Sequence, residues 1–355
     1  MTTTPERARP DVPAAAGDGW SRARSSDGTQ IAWQRDAATA PAVAEPLTVV
    51  LCNGIGCTDS HWSAVAPQLA RTHPVVRWHY RGHGRSGSPV DLDRARLDVP
   101  AVAGDLRAVL RATQASRVVL VGHSFGVQVA LEALRTEQRQ PIGAVKGVVA
   151  VAGAAGHPLS RTLPPAADAG ASPGTTSGVS AGVTAGTKRP RRPVERAGEA
   201  LVARLERLST SAPDTAARLW RGLWRSPLMP VVARAVRGTS AFTPRAALLD
   251  YCAQVSELDV ELLTRMFQGM QDHSAFDLLD ALDVPLLCVA GSADGLTPLA
   301  VMAGMARRAP QGRLHVVEGA AHTLPVERPD ELLAALRGFL RRLDRPLASA
   351  ESGAA

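Results

Sequence analysis

The stretch from Val118 to Leu134 constrains this chain more than any other. Val118-Val119-Leu120-Val121 has the length and β-branched content of a buried parallel strand. Downstream, Val127, Ala130, Leu131 and Leu134 fall at helical spacing. Between them lies Gly122-His123-Ser124-Phe125-Gly126. A strand that turns straight into a helix around one serine forces that serine into a tight conformation, and a Cβ at Gly122 or Gly126 would collide with the neighbouring strand or helix. The hydroxyl is then presented at the carboxyl end of the sheet. The helix that Phe125 opens has free N–H groups that favour negative charge. A bare Gly-x-Ser-x-Gly arises by chance in roughly one chain in ten of this length, and its bland reading is a small-residue turn with a solvated serine. The flanking strand and helix are the context that separates the two readings.

The same alternation runs through most of the chain. Asp27-Gly28 between Trp20–Arg24 and Thr29–Arg35 reads as a hairpin. Leu47–Cys52, Val145–Ala152 and Pro285–Ala290 are largely apolar and read as strands, as do Val75–Tyr80 and Arg313–Val317. Helices are predicted from about His61 to Thr72, Val99 to Thr113 (behind Asp98), Pro298 to Ala309 and Glu327 to Leu343. Strands alternating with helices imply a mostly parallel sheet with right-handed crossovers. From Val194 to about Leu282 the spacing is helical throughout, punctuated by Pro227, Pro230 and Pro244. Helices inserted there, between two strands, would sit over the carboxyl edge as a cap.

Residues 156–193 break the pattern. They are rich in Ala, Gly, Ser, Thr and Pro and read as a flexible low-complexity insertion. They also hold five cations (Arg161, Lys188, Arg189, Arg191, Arg192) against one anion, Asp168, which is +4 of the chain's net +7. The remainder is nearly balanced, so no basic recognition face for nucleic acid is expected, and the run at 188–192 reads as a solvated linker. The predicted organisation is therefore a disordered tail over 1–19, a core over 20–155 and 283–344, the insertion at 156–193, a helical cap over 194–282 and a second tail over 345–355. Met1 to Gly19 lacks the basic and apolar regions of a secretory signal, and no apolar run reaches the length of a membrane span. Cys52, Cys57, Cys252 and Cys288 show neither metal-ligand nor disulfide-framework spacing. Reduced, mostly buried thiols and a cytoplasmic location are expected.

A hydroxyl is a weak nucleophile at its own pKa, so Ser124 needs a base within hydrogen-bond reach. His322 follows a late strand, on a loop at the same edge. The base in turn needs an acceptor that fixes its tautomer, and Asp294 follows the preceding strand. Asp277, Asp280 and Asp283 precede that strand and should lie at its far end or in the cap. The segment Val151 to Gly156 carries no carboxylate. Among the other candidates, His123 is expected to pack or hydrogen-bond behind the turn. His61, His79 and His83 are expected to be structural, and His273 solvated or in the core. Trp62 is expected to pack the first helix. Cys57 lies beside a glycine-rich loop without a His or Asp partner pattern. No metal or redox-cofactor constellation is visible.

The chain order Ser124, Asp294, His322 and five ordered motifs together resemble the α/β-hydrolases that carry an inserted helical cap. The motifs are Asn53-Gly54-Ile55-Gly56 with Trp62 downstream, Tyr80 to Ser86, Gly122 to Gly126, Gly291 to Pro298, and Gly319-Ala320-Ala321-His322. The resemblance covers roughly Trp20 to Leu343 outside the low-complexity insertion. It implies an eight-stranded, mostly parallel sheet flanked by helices, with the cap inserted before the last two strands. It also implies an oxyanion hole from the N–H groups of Phe125 and Ile55. One departure is Asn53, where the family commonly has His before the glycine. Some esterases and enol-lactonases of the family also carry Asn there. The expected activity is hydrolysis of a carboxylic ester or lactone of a small, largely apolar molecule through an acyl-enzyme, with no cofactor. C–C bond hydrolysis, acyl transfer, cofactor-free peroxidation and non-catalytic ligand binding on the same fold remain open alternatives. In the family's sheet order two strands separate those of Cys52 and Cys288. Roughly 14 Å would then lie between the two thiols, which rules out a bridge.

Overall fold

Eight strands join into one sheet in the order β1-β2-β4-β3-β5-β6-β7-β8 in a computed structural model of the protein. The structure describes residues 19–41, 45–89, 91, 92, 95–137, 144–156, 204, 207–209 and 211–344. Both tails except Gly19, and all of the low-complexity insertion except Gly156, lie outside the described residues.

The hairpin β1 (Ser21–Arg24) and β2 (Gln30–Asp36) is antiparallel, and β2 pairs antiparallel with β4 (Val75–Trp78). All later pairings are parallel, through β3 (Thr48–Cys52), β5 (Arg117–His123), β6 (Ala144–Val151), β7 (Leu286–Gly291) and β8 (Gly312–Val317). β3 and β7 are buried along their whole length because helices cover both faces, which is why their sequences read as unbroken apolar runs. On one face, residues of α2 (Val99–Thr113), α3 (Phe125–Glu137) and α9 (Leu299–Arg308) complete a core with Val50, Leu120 and Val148. On the other, Trp62, Leu69 and the apolar stripe Leu332, Leu333, Leu336, Phe339, Leu340 of α11 (Pro329–Asp344) pack on Val49, Val119 and Val149. Asp98 caps α2 by accepting from the Ala101 N–H at 3.0 Å.

Between β6 and β7 the described chain is helical: α4 (Pro213–Trp224), α5 (Met229–Ala235), α6 (Arg245–Ser256), α7 (Val260–Asp272) and α8 (Phe276–Leu279). Trp220, Val255, Leu258, Val260 and Leu263 form their own small core. Cys52 and Cys288 sit on β3 and β7 with two strands between them, and all four cysteines are free. Among the described residues no helix is long and apolar enough to cross a membrane.

Two predicted elements differ. The continuous helix from His61 to Thr72 is instead a 3-10 turn, Asp59–Trp62, and a one-turn helix α1, Ala66–Leu69. Pro67 sits at the start of α1, where its missing N–H costs nothing, but it cannot continue a helix from upstream. The closing helix starts at Pro329. Glu327 belongs to a separate turn, α10 (Leu324–Glu327), and points away from α11 into a polar cluster described below.

Candidate active site

Ser124 sits between the end of β5 and the start of α3 with φ of 53°, the left-handed region that side chains with a Cβ rarely occupy. The turn closes that tightly because both flanking glycines touch backbone. A Cβ on Gly122 would strike the Gly126 carbonyl, and one on Gly126 would strike the Cys52 carbonyl of the neighbouring strand. The serine side chain is half-buried at the carboxyl edge.

Asp294 and His322 come from the loops after β7 and β8, which place them at that same edge. His322 Nδ1 lies 3.0 Å from Asp294 Oδ2, and His322 Nε2 lies 2.8 Å from Ser124 Oγ. A carboxylate only accepts, so Nδ1 carries the proton and Nε2 is free to accept from the hydroxyl. The acid is fixed by backbone: its other oxygen accepts from the N–H groups of Leu296 and Thr297, both at 2.8 Å. His322 is held by the residue before Ser124, since His123 Nε2 donates to the His322 carbonyl at 2.9 Å. Asp277 and Asp280 lie elsewhere, paired with Arg135 and Arg308.

The loop after β3 adjoins the turn that carries Ser124, with Gly54 against His123 and the Asn53 carbonyl against Gly126. Phe125 is the first residue of α3, so its N–H has no acceptor within the helix. Ile55 belongs to the loop 53–57, which three side chains hold. Trp62 Nε1 donates to Asn53 Oδ1 at 2.9 Å, Asn53 Nδ2 donates to the Trp78 carbonyl at 2.8 Å, and Tyr80 Oη donates to the Asn53 carbonyl. Asn53 is thus a strut, which gives this chain a use for the amide at the position where a family member commonly has His. Gly56, at φ of 76°, donates its N–H to His83 Nε2 at 3.2 Å, while His83 Nδ1 donates to the Arg81 carbonyl. Sequence reasoning placed His83 among structural residues without finding its contact with this loop. The turn Arg81-Gly82-His83-Gly84 carries the signal, since a histidine between two left-handed glycines is aimed by backbone alone.

Burial sets the charge state of this neighbourhood. It pushes His83 and His61 down to about 4 and His123 well below the usual value, so the three rings are neutral. His61 stacks on His123 with ring centres 4.5 Å apart, and His123 is 5.2 Å from His322. His61 therefore belongs to a buried ring stack, not to a solvated face. His79 pairs with Asp59 and His273 with Glu132. Burial raises the Cys57 thiol to about 12, so it is protonated and no rival nucleophile. For Glu327 burial works against the charge, but hydrogen bonds from Thr323, Ala321, Ser240 and Thr243 outweigh it and hold the carboxyl below its usual value. Among the described residues no group of three or more His, Cys, Asp or Glu could hold a metal ion.

The helical insert closes over this edge. Val255 and Tyr251 of α6 meet Gly56, and Leu262 of α7 meets Gly82. A cavity of about 360 Å³ lies between the 3-10 turn and α6, lined by Cys57, His61, Pro244, Tyr251, Gln254 and Val326. It borders the Ile55 loop at Cys57 and the His322 loop at Val326. A second cavity, of about 390 Å³, is lined by Asp36, Asp59, Trp62 and Arg77, and Ser124, Ile55, Phe125, Asp294 and His322 line neither of the two.

Comparison with known proteins agrees with this geometry at the level of fold. The family described as "Alpha/beta hydrolase family" matches residues 49–336. An uncharacterized protein of Mycobacterium tuberculosis is 36% identical over 84 residues, 24% of each chain. A fluoroacetate dehalogenase of a Burkholderia species is 37% identical over 79 residues, 22% of this chain and 26% of that one. The chain thus spans about a quarter of the length of the curated relatives it matches. A thermophilic esterase from Thermogutta terrifontis superposes with a TM-score of 0.61 at 20% identity, over 92% of this chain and 99% of that one.

Proposed function

Because the chain belongs to the alpha/beta hydrolase family, we propose that it is a serine hydrolase acting on a carboxylic ester or lactone. The observation that carries this reading is the unbroken run of hydrogen bonds from Asp294 through His322 to Ser124, at 3.0 and 2.8 Å. In the proposed reaction Ser124 Oγ attacks the carbonyl carbon while His322 Nε2 takes its proton. Asp294 stabilises the imidazolium so formed. The negative charge on the former carbonyl oxygen is met by the N–H groups of Phe125 and Ile55, and a donor of this kind is worth ~3–4 kcal/mol. His322 then gives its proton to the leaving alkoxide, and the C–O bond breaks. Water, deprotonated by the same nitrogen, cleaves the acyl-enzyme and restores Ser124. Every group needed is a side chain or backbone amide of this chain.

The proposed cap, helices α4 to α8, supplies Tyr251 and Val255 above the Ile55 loop. Tyr251 also lines the adjoining cavity, where Pro244, Ala246, Ala247 and Val326 offer an apolar patch beside the polar Thr58, Ser60, Asp250 and Gln254, a mixed lining that suits a small acyl or alcohol group carrying a polar end. The test is a panel of p-nitrophenyl esters extended to lactones and thioesters. Turnover of short esters or lactones that disappears in Ser124→Ala supports the reading. Thioester transfer without ester hydrolysis would replace it with acyl transfer, and folded protein inert to the whole panel and to a fluorophosphonate would point to ligand binding.

A further inference from the structure

Glu327 has no part in the proposed chemistry, yet it is 6% exposed and accepts five hydrogen bonds, none from a charged group. Two come from the residues on either side of His322: the Ala321 N–H at 2.7 Å and Thr323 Oγ1 at 2.6 Å. Three come from the helical insert: the Ser240 N–H at 3.2 Å, Ser240 Oγ at 2.7 Å and Thr243 Oγ1 at 2.8 Å. The same stretch of the insert reaches the loop of the acid, where Gly295, next to Asp294, donates its N–H to the Arg237 carbonyl at 3.1 Å. Between these contacts the Arg328 guanidinium lies 3.6 Å from the centre of the Phe242 ring. Residues 237–243 therefore touch both loops that carry the candidate acid and base, and Glu327 is the joint to the second.

The chemistry of the joint is selective. A carboxylate accepts through both oxygens and donates through neither, so it can satisfy all five donors at once. The amide of glutamine keeps the shape but turns one acceptor into a donor facing N–H and hydroxyl groups. Asp294 needs no such partner, because Leu296 and Thr297 hold it from its own loop. The His322 loop is tied to the loop of Asp294 by the Gly319 N–H on Ser292 Oγ and the Ala293 N–H on the Ala320 carbonyl, both at 2.9 Å, and to His123 by the His322 carbonyl. Towards the insert its hydrogen bonds run through Glu327 and the Thr243–Thr323 hydroxyl pair at 3.4 Å.

We propose that Glu327 is a positioning residue that latches segment 237–243 of the insert to the loop 319–323, so that His322 is aligned with Ser124 while the insert is seated. Seating of the insert and alignment of the base are then one event. The alignment arm rests on the hydrolase reading, and the latch itself does not.

The experiment is amide hydrogen–deuterium exchange of full-length Glu327→Gln against wild type, with the rate of fluorophosphonate labelling measured on the same samples. The expected result is that exchange rises together in 237–243 and 319–323, and that labelling slows about 10–100-fold, the scale of a misplaced catalytic group. Unchanged exchange in either segment overturns the latch whatever the activity does. Raised exchange with labelling at the wild-type rate overturns the positioning role. A coupled rise in Glu327→Gln, when the wild type itself takes no label, supports the latch and contradicts the hydrolase reading instead. If Glu327→Gln does not fold, the pair Ser240→Ala and Thr243→Ala removes the two hydroxyl donors from the insert side and must give the same coupled rise.

Discussion

The carboxyl edge of the sheet and the helical insert above it are held by different means. At the edge the decisive contacts are made by backbone or to it: Gly122 and Gly126 against carbonyls, Asp294 on two amide N–H groups, His123 on the His322 carbonyl, His83 on the Gly56 N–H. The insert is tied down by side chains. Thr58 and Ser60 reach Gln254 and Asp250, and Ser240 and Thr243 reach Glu327. Its outer surface leaves Leu219, Leu228, Val231, Val232, Phe242 and Leu249 exposed, whereas in the rest of the described chain Leu314 is the one exposed large apolar residue. A backbone-built edge fixes where the reacting groups sit and tolerates little change. A side-chain-built insert can be re-sequenced with smaller consequences.

The sharpest way to break this comparison is at the acid. In Asp294→Asn the carbonyl can still accept from Leu296 and Thr297, but the NH₂ then faces His322 Nδ1 and forces the wrong tautomer. On the proposed mechanism turnover is expected to fall by ~10⁴, judging by the same replacement in a known triad enzyme, with the fold retained by circular dichroism. Asp280→Asn, whose partner is Arg308, should stay within about three-fold of wild type.

Ion pairs draw the same contrast in stability. Arg81 and Asp105 are 2% and 0% exposed at the side chain, and burial is the largest influence on each. Asp105→Ala leaves Arg81 with one carboxylate, the half-exposed Asp27, beside the neutral Arg96 carbonyl and Ser25 hydroxyl, and should cost about 3–5 kcal/mol in urea unfolding. Glu257→Ala, which breaks an exposed pair with Arg225 in the insert, should cost no more than about 1 kcal/mol. Glycines sharpen the comparison further. Gly126→Ala must displace β3 and is expected to lose about 3 kcal/mol. Gly222→Ala, in α4 with nothing within 4 Å of the new Cβ, should gain about 1 kcal/mol.

Proton linkage adds an effect at the edge that shows only as pH falls. His61 titrates near 6.5 when unfolded and near 4 when folded, so the unfolded chain takes up the proton first. Its contribution to stability is complete above pH 6.5 and is lost as pH falls toward 4. Within that window His61→Phe should flatten the acid limb of the stability curve by about 1.4 kcal/mol per pH unit. An acid limb of unchanged slope would mean that His61 is charged in the folded protein.

The edge was the legible part of the sequence for the same reason that it is rigid. Strand, turn and helix signals lie within a few residues of each other, so Val118 to Leu134 announces its own conformation, and Asp294 follows a strand of unbroken apolar character, while His322 follows the more polar edge strand Gly312–Val317. What could not be read joins distant segments. Glu327 takes donors from Ser240 and Thr243, and His83 meets Gly56, with no local pattern linking them. The break between Trp62 and Ala66 escaped because the apolar spacing there suits a helix, while Pro67 and the pull of Arg77 and His79 on Asp59 favour a tighter turn.

The central claim is that one serine, activated through His322, is the nucleophile. Mapping the adduct of a fluorophosphonate by peptide mass spectrometry tests it most directly. The modified residue should be Ser124 alone, with no adduct in Ser124→Ala or in the heat-unfolded protein. Modification at any other residue of the folded chain, or turnover of a labelled ester by Ser124→Ala at the wild-type rate, would contradict it.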